Sequence, residues 1–197
     1  MSTPALRVGV VGLGAGTIAA YGRPGDNYIF YEINPLVITF AKTQFTFLRD
    51  SAAKVDVVQG DARLSLEQEP AQNFNVLAVD AFTSDSIPVH LLTREAFILY
   101  FRHLKPGGIL ALHVSNRYLD LRPVVQGAAE SLGKATTIVE SKKDEDNGIF
   151  VATWVLASDD RGFLQSRELQ MALSPLESVR KPQMWTDDYS NLFRILK

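Results

Sequence analysis

The stretch Arg7-Val8-Gly9-Val10-Val11-Gly12-Leu13-Gly14-Ala15-Gly16-Thr17 (RVGVVGLGAGT, residues 7–17) is where the fold reading turns. Arg7–Gly12 is short and Val-rich, the pattern of a strand buried on both faces of a parallel sheet. The glycines that follow remove side chains where the chain must turn sharply and where a ligand can approach backbone. A helix after such a turn would offer free N–H groups to that ligand. Glycine turns also serve purely structural ends, so the rest of the chain has to decide.

Outward from this stretch, apolar runs and helical patterns alternate. Asn27–Glu32 reads as a second strand, and Asn34-Pro35 as a helix start with an Asn cap and Pro in the first turn. Val37, Phe40, Ala41 and Leu48 then fall on one helical face. Lys54–Val58 is a third strand, followed by Gly60-Asp61 and a short helix from about Ala62. Phe74–Val79 is the fourth, ending at Asp80. After the loop Ala81–Pro88, Phe97, Tyr100, Phe101 and Leu104 mark a helix over Thr93–Leu104, which Lys105-Pro106-Gly107-Gly108 stops. Ile109–Val114 is strand five, and Leu121–Leu132 a helix with Val125, Ala128, Ala129 and Leu132 in one stripe. The last two strands, Ala135–Glu140 and Gly148–Ala157, are joined by Ser141–Asn147. That link is too short for a crossover helix, so the pair should be antiparallel. A helix over Gln165–Leu173 and a closing segment, Trp185–Lys197, complete the chain.

The expectation is an α/β fold: an open, mostly parallel seven-stranded sheet with an antiparallel last strand and helices on both faces. We read one domain over 1–197, its core at about 7–157, with residues 158–197 on or near the site. In such sheets ligands sit at the carboxyl ends of the strands, near the topological switch point.

Composition narrows the function classes. The chain has 197 residues, 46% of them hydrophobic, and no cysteine, which excludes disulfides, thiolate metal sites and a cysteine nucleophile. With 20 basic and 22 acidic residues, the net charge of −2 gives no cationic stripe for nucleic acid. The longest apolar stretch, Val8–Ala20, is Gly-rich and too short to span a bilayer, and no basic segment precedes it as in a signal peptide. The expected setting is the cytoplasm, without membrane attachment for this chain. His90, His103 and His113 are scattered with no metal-ligand spacing, so no metal is expected.

The strand ends carry the chemistry. Glu32 ends strand two, twenty residues after Gly12, where an acid accepts both hydroxyls of a ribose. Its bland reading is a solvated carboxylate. Asp61 after Gly60 suits an exocyclic adenine amine, or is a plain turn aspartate. Asp80 stands closest to where nucleoside and substrate should meet. Taken together, these strand ends read as a nucleoside site. A dinucleotide fingerprint would need its third glycine at position 17, which is Thr17.

The segments VVGLGAGT (10–17), YEINP (31–35), GDARLSL (60–66), VDAFTSDSIPVHLLTREAF (79–97), LKPGGILALHVSNRYLD (104–120) and WTDDYSNLF (185–193) carry a family likeness. Through them the chain resembles the class I S-adenosylmethionine-dependent methyltransferase superfamily, and within it the spermidine synthase-like, or polyamine aminopropyltransferase-like, branch. The resemblance implies a Rossmann-like class I methyltransferase fold. It implies that Gly12, Gly14 and Gly16 pack against the sulfonium ligand, that Glu32 holds the ribose, and that Asp61 with the Ala62 backbone reads adenine. The co-substrate would be S-adenosylmethionine or its decarboxylated form. Asp80 would orient and deprotonate an attacking amine, with Asp85 and the segment Asp187-Asp188-Tyr189 supplying the rest of a pocket for a small amine acceptor. A homodimer is compatible with this reading.

Three departures bear on the reaction. The family's glycine loop carries an acid for the aminopropyl ammonium, where this chain has Ala15. Without that acid an amine is attracted less and the carboxylate of S-adenosylmethionine is repelled less. Asp80 and Asp85 are further apart than the family's paired acids, and the chain starts almost at strand one, without the N-terminal hairpin region that closes the polyamine pocket. The alternatives are therefore a small-molecule methyltransferase and a non-catalytic nucleoside-binding protein.

Bland readings exist for the remaining candidates. Asp85 lies in a Ser/Thr/Pro loop where aspartates form turns, and Asp187 and Asp188 suit a helix start. Trp185 and Tyr189 suit packing, and Lys142–Asp146 a solvated hairpin tip. His103, beside a helix stop, suits an imidazolium facing the helix dipole.

Overall fold

Strand β1 (Arg7–Val11) lies at the centre of the sheet, parallel to β2 (Asn27–Glu32) on one side and β4 (Phe74–Val79) on the other. The computed structural model describes residues 4–81, 88–141, 151–172 and 180–197. Beyond β2 lies the edge strand β3 (Lys54–Gln59), also parallel. The remaining strands are β5 (Leu104–His113), β6 (Ala135–Glu140) and β7 (Thr153–Ser158), and the sheet order is β3-β2-β1-β4-β5-β7-β6. β7 runs antiparallel to both β5 and β6, so the reversal expected of the last pair is present. The chain winds outward from β1 to β3, then restarts on the other side of β1 with β4, which makes the β1–β4 boundary the switch point.

By its packing the chain divides into two units, Met1–Ala81 with Leu99–Gly108, and Phe82–Ile98 with Ile109–Lys197. In the first, Val8, Val10, Val11, Phe30, Phe74 and Leu77 are buried, as continuous apolar strands require. Helix α1 (Pro35–Thr43) starts as its sequence demands: the Asn34 side chain accepts from Leu36 N at 2.9 Å, and Pro35 fills the first position. Its expected apolar face is incomplete. Ala41 is buried, but Phe40 is 58% exposed, because α1 packs against α2, β2 and the edge strand β3 and lies at the margin of the sheet. Helices α2 (Phe47–Asp50) and α3 (Ala62–Gln68) follow. The helix expected after the glycine turn is a five-residue 3-10 helix, Thr17–Tyr21, cut short by Gly22 and Pro24-Gly25. Asp26, buried just before β2, accepts from Leu6 N and Arg23, and the Arg23 guanidinium holds its carboxyl down at about 2.

Helix α4 (Arg94–His103) stops where the Lys105-Pro106-Gly107-Gly108 breaker predicts, but the chain passes directly into β5 at Leu104 instead of looping to Ile109. Gly108 explains this, because a Cβ there would stand 2.9 Å from the carbonyl oxygen of Phe74, so the breaker itself runs against the sheet. His103 is fully buried, and burial together with Arg102 lowers its pKa, so a neutral ring replaces the imidazolium expected from the helix end. The unfolded chain takes up the proton at about 6.5. His103 therefore contributes stability at neutral pH that is lost as the pH falls below about 6.5 toward its folded value. Melting temperature should drop between pH 7 and 5.5 by a few degrees more in the native protein than in His103→Met; parallel curves would contradict this.

In the second unit, α5 (Arg122–Glu130) buries Val124, Val125, Ala128 and Ala129, and is slightly shorter than the Leu121–Leu132 expected. The expected helix from Gln165 is two short ones, α6 (Arg161–Leu164) and α7 (Arg167–Ala172), with Asp160 capping the first. The tail is anchored: Trp185 and Ile195 are buried, Gln183 N donates to Pro123 O, and Asp120 N donates to Ile195 O. The hairpin tip Lys142–Asp146 lies outside the described residues. No helix among the described residues is long and apolar enough to cross a membrane.

Candidate functional site

Strand register brings the candidates of the first unit together. Val11 is level with Tyr31 on β2 and Val79 on β4, so the next residues, Gly12, Glu32 and Asp80, leave three neighbouring strands at one height. Glu32 in turn is level with Gln59, which puts Gly60 and Asp61 immediately beyond it. Gly12 N donates to Tyr31 O, Gly60 N to Glu32 O, and Asp80 N to Val11 O, each at 2.9 Å, so the ladder continues past the strands and holds this row in place.

Gly12 is required at its position. Its φ is +95°, and a Cβ would stand 2.4 Å from the backbone oxygen of Asp80. Gly14 differs: at φ +53° a Cβ would meet no atom within 4 Å, so its missing side chain leaves space rather than avoiding a clash. Two alanine variants separate these roles. Gly12→Ala should lower unfolding free energy by about 2–3 kcal/mol. Gly14→Ala should lose only about 1 kcal/mol while weakening any ligand held against the turn. Equal stability loss in denaturant titrations of the two variants would contradict the assignment.

Glu32 is 9% exposed and bound at both oxygens: Oε2 accepts from Leu13 N at 3.0 Å, and Oε1 from Asn34 N at 2.8 Å. The carboxylate therefore ties the glycine turn to the cap of α1. A carboxylate offers about four acceptor positions, so two amide bonds leave capacity for two more donors. Asp61 has the turn role as well: it is the N-cap of α3, with Oδ1 accepting from Leu64 N at 3.0 Å, and Ala62 is buried in the first turn. Ile33 was not singled out from the sequence. It is 66% exposed directly after Glu32, and its signal was available as an apolar residue between a strand-end acid and a helix cap. An exposed aliphatic side chain there gives the rim an apolar surface suited to a flat base.

The other candidates have different surroundings. Asp85 lies outside the described residues. In the second unit, Asp187 accepts from the Thr93 hydroxyl at 2.7 Å, while Asp187 N donates to a Glu95 oxygen at 3.1 Å. Arg94 N donates to Trp185 O, so the tail is tied to the start of α4. Asp188 is exposed, and Tyr189 is exposed and bridged to Thr186. His113 stacks on Trp154, and its Nε2 lies 2.8 Å from the Ser115 hydroxyl. Among the described residues no three His, Cys, Asp or Glu side chains gather as metal ligands.

No protein-family model matches the chain. Over 109 residues it is 30% identical to a polyamine aminopropyltransferase of Vibrio vulnificus, covering 53% of this chain and 36% of that one. The chain thus spans about a third of that relative's length. A crystal structure of a probable spermidine synthase from Corynebacterium glutamicum superposes with a TM-score of 0.63 at 19% identity, covering 91% of this chain and 75% of that chain. An O-methyltransferase from Bacillus cereus, solved in complex with SAH, gives a TM-score of 0.54 at 16% identity, covering 78% and 73%. The fold is class I methyltransferase-like and spermidine synthase-like.

Proposed function

We propose that this chain, with its spermidine synthase-like fold, is a single nucleoside-binding transferase domain that acts in the cytoplasm in polyamine chemistry. It alkylates a small amine, by aminopropyl transfer from decarboxylated S-adenosylmethionine or by use of S-adenosylmethionine itself. The observation that carries the reading is Glu32, held by one oxygen to the glycine turn and by the other to the cap of α1, with acceptor capacity to spare. The name of the Vibrio vulnificus relative supports the branch, and the space in front of Gly14 supports the fit of the sulfonium ligand.

The bound sulfonium nucleoside supplies an activated carbon and a good leaving group. The protein's own task is positioning and proton transfer. Glu32 accepts the ribose hydroxyls, Ile33 covers one face of the base, and Asp61 with the Ala62 backbone reads its edge. An alkylammonium has a pKa near ~10, so it must lose a proton before its nitrogen attacks. The Asp80 carboxylate attracts the cation and takes or relays that proton. Asp85, Asp187, Asp188 and Tyr189 rest on the resemblance alone as contributors to amine recognition.

Methyl transfer is the second reading, and Ala15 favours it by removing the acid that would attract an aminopropyl ammonium. Incubating the protein with each donor and a diamine, then separating the nucleosides by chromatography, distinguishes the readings. Diamine-dependent release of methylthioadenosine is expected. Release of S-adenosylhomocysteine instead would establish methyl transfer, and binding without release of either thioether would make the protein a non-catalytic binder.

A further inference from the structure

A concave site lies in the first unit away from the strand-end row, and none of its lining residues takes part in that row. A cleft of about 420 Å³ opens between α1, α2 and the edge strand β3. Phe45, Leu48, Val55 and Val57 give it an apolar lining, with Lys42 and Arg49 as its cations. That size suits a small molecule, and the lining is mixed, apolar side chains alternating with the charged Lys42, Arg49 and Asp56.

The walls are held before any ligand arrives. Phe45 stacks on Phe47 with ring centroids 6.2 Å apart. Leu48 is wedged against the glycine turn, its Cδ2 being 2.6 Å from where a Cβ on Gly16 would stand. Below it, the Ser51 hydroxyl donates to Ala19 O at 2.7 Å and fixes the end of α2. Pre-set walls reduce the ordering cost of binding.

Charge selects the ligand. The acid lining the cleft, Asp56, is engaged by Lys54 at 3.0 Å, and Arg49 is engaged by Asp50 at 3.1 Å. Lys42, in the last turn of α1, has no ion-pair partner among the described residues. The cleft therefore offers one uncommitted ammonium beside a stiff apolar wall. By contrast, the strand-end row carries Glu32, Asp61 and Asp80 and repels anions.

We propose that this cleft binds a flat, apolar-bodied monoanion of the aromatic carboxylate or sulfonate class, its ring system against Phe45 and Leu48 and its anionic group on Lys42. The proposal is independent of the transfer reaction. Its test is fluorescence titration of the full chain with anilinonaphthalene sulfonate and with the uncharged analogue N-phenylnaphthylamine. Lys42→Glu and Phe45→Ala are the variants, both at exposed positions, with thermal melts to verify folding. The native protein should bind the sulfonate saturably at one site. Lys42→Glu should weaken the sulfonate about tenfold and leave the neutral dye within about twofold, whereas Phe45→Ala should weaken both several-fold. Failure to saturate, or sulfonate affinity unchanged in Lys42→Glu or in Phe45→Ala, would overturn the proposal.

Discussion

Asp80→Asn should lose turnover by about 100-fold or more while binding the nucleoside within about twofold of the native protein. The separation is possible because residue 80 holds its place through its backbone. Its N–H donates to Val11 O, and its carbonyl lies against Gly12. Asparagine keeps both of those contacts and nearly the same side-chain volume. What it lacks is a negative charge to attract an ammonium group and a basic oxygen to accept its proton. Steady-state rates alongside calorimetric affinities give the comparison. Equal turnover would remove Asp80 from the chemistry, and lost affinity with intact turnover would make it a binding residue.

Glu32→Ala should weaken nucleoside binding by about 100-fold, equivalent to roughly 2.8 kcal/mol. Two effects add. The ribose loses its acceptor, and the amides of Leu13 and Asn34 lose the carboxylate that joins the glycine turn to α1. Charge-assisted bonds of this kind are worth more than neutral ones, so melting temperature should fall by several degrees with the transition still cooperative. Glu32→Gln is the informative companion. One amide oxygen can serve only one of the two N–H groups, so its melt should fall between those of the native protein and Glu32→Ala. Unchanged affinity in Glu32→Ala would mean that the nucleoside does not use this strand end.

Much of the fold was readable because local chemistry and neighbours agree. β2, β4 and β6 have the bounds that their apolar runs suggest, Asn34 caps α1, and the short link before the last strand forces it antiparallel. Readings failed where a neighbour decides. Phe40 lies on the right helical face, but its helix reaches the sheet edge and leaves it exposed. Gly107-Gly108 breaks α4, yet Gly108 lets the chain lie against Phe74 within β5, which begins early at Leu104. His103 sits at a helix end as an imidazolium would, but its burial was invisible to periodicity.

At the site, the row of strand ends follows from counting residues to the end of each strand. What residue types alone could not show is the work each residue already does within the protein. Glu32 is a loop clamp, Asp61 caps a helix, and Asp187 bonds to Thr93. Such partners are dozens of residues away or depend on loop geometry. Ile33 was overlooked for the opposite reason, since an apolar residue raises interest only once it is known to be exposed.

The central claim is that the row of Gly12, Glu32, Asp61 and Asp80 binds a sulfonium nucleoside. Calorimetric titration with S-adenosylmethionine and its decarboxylated form, in parallel on the native protein and on Glu32→Ala, tests it most directly. The account predicts saturable binding of at least one donor with one site per chain, weakened about 100-fold in the variant. A tenfold preference for the decarboxylated donor, about 1.4 kcal/mol, would favour aminopropyl transfer, and the reverse preference methyl transfer. Absence of binding by either donor to the folded native protein would contradict the account.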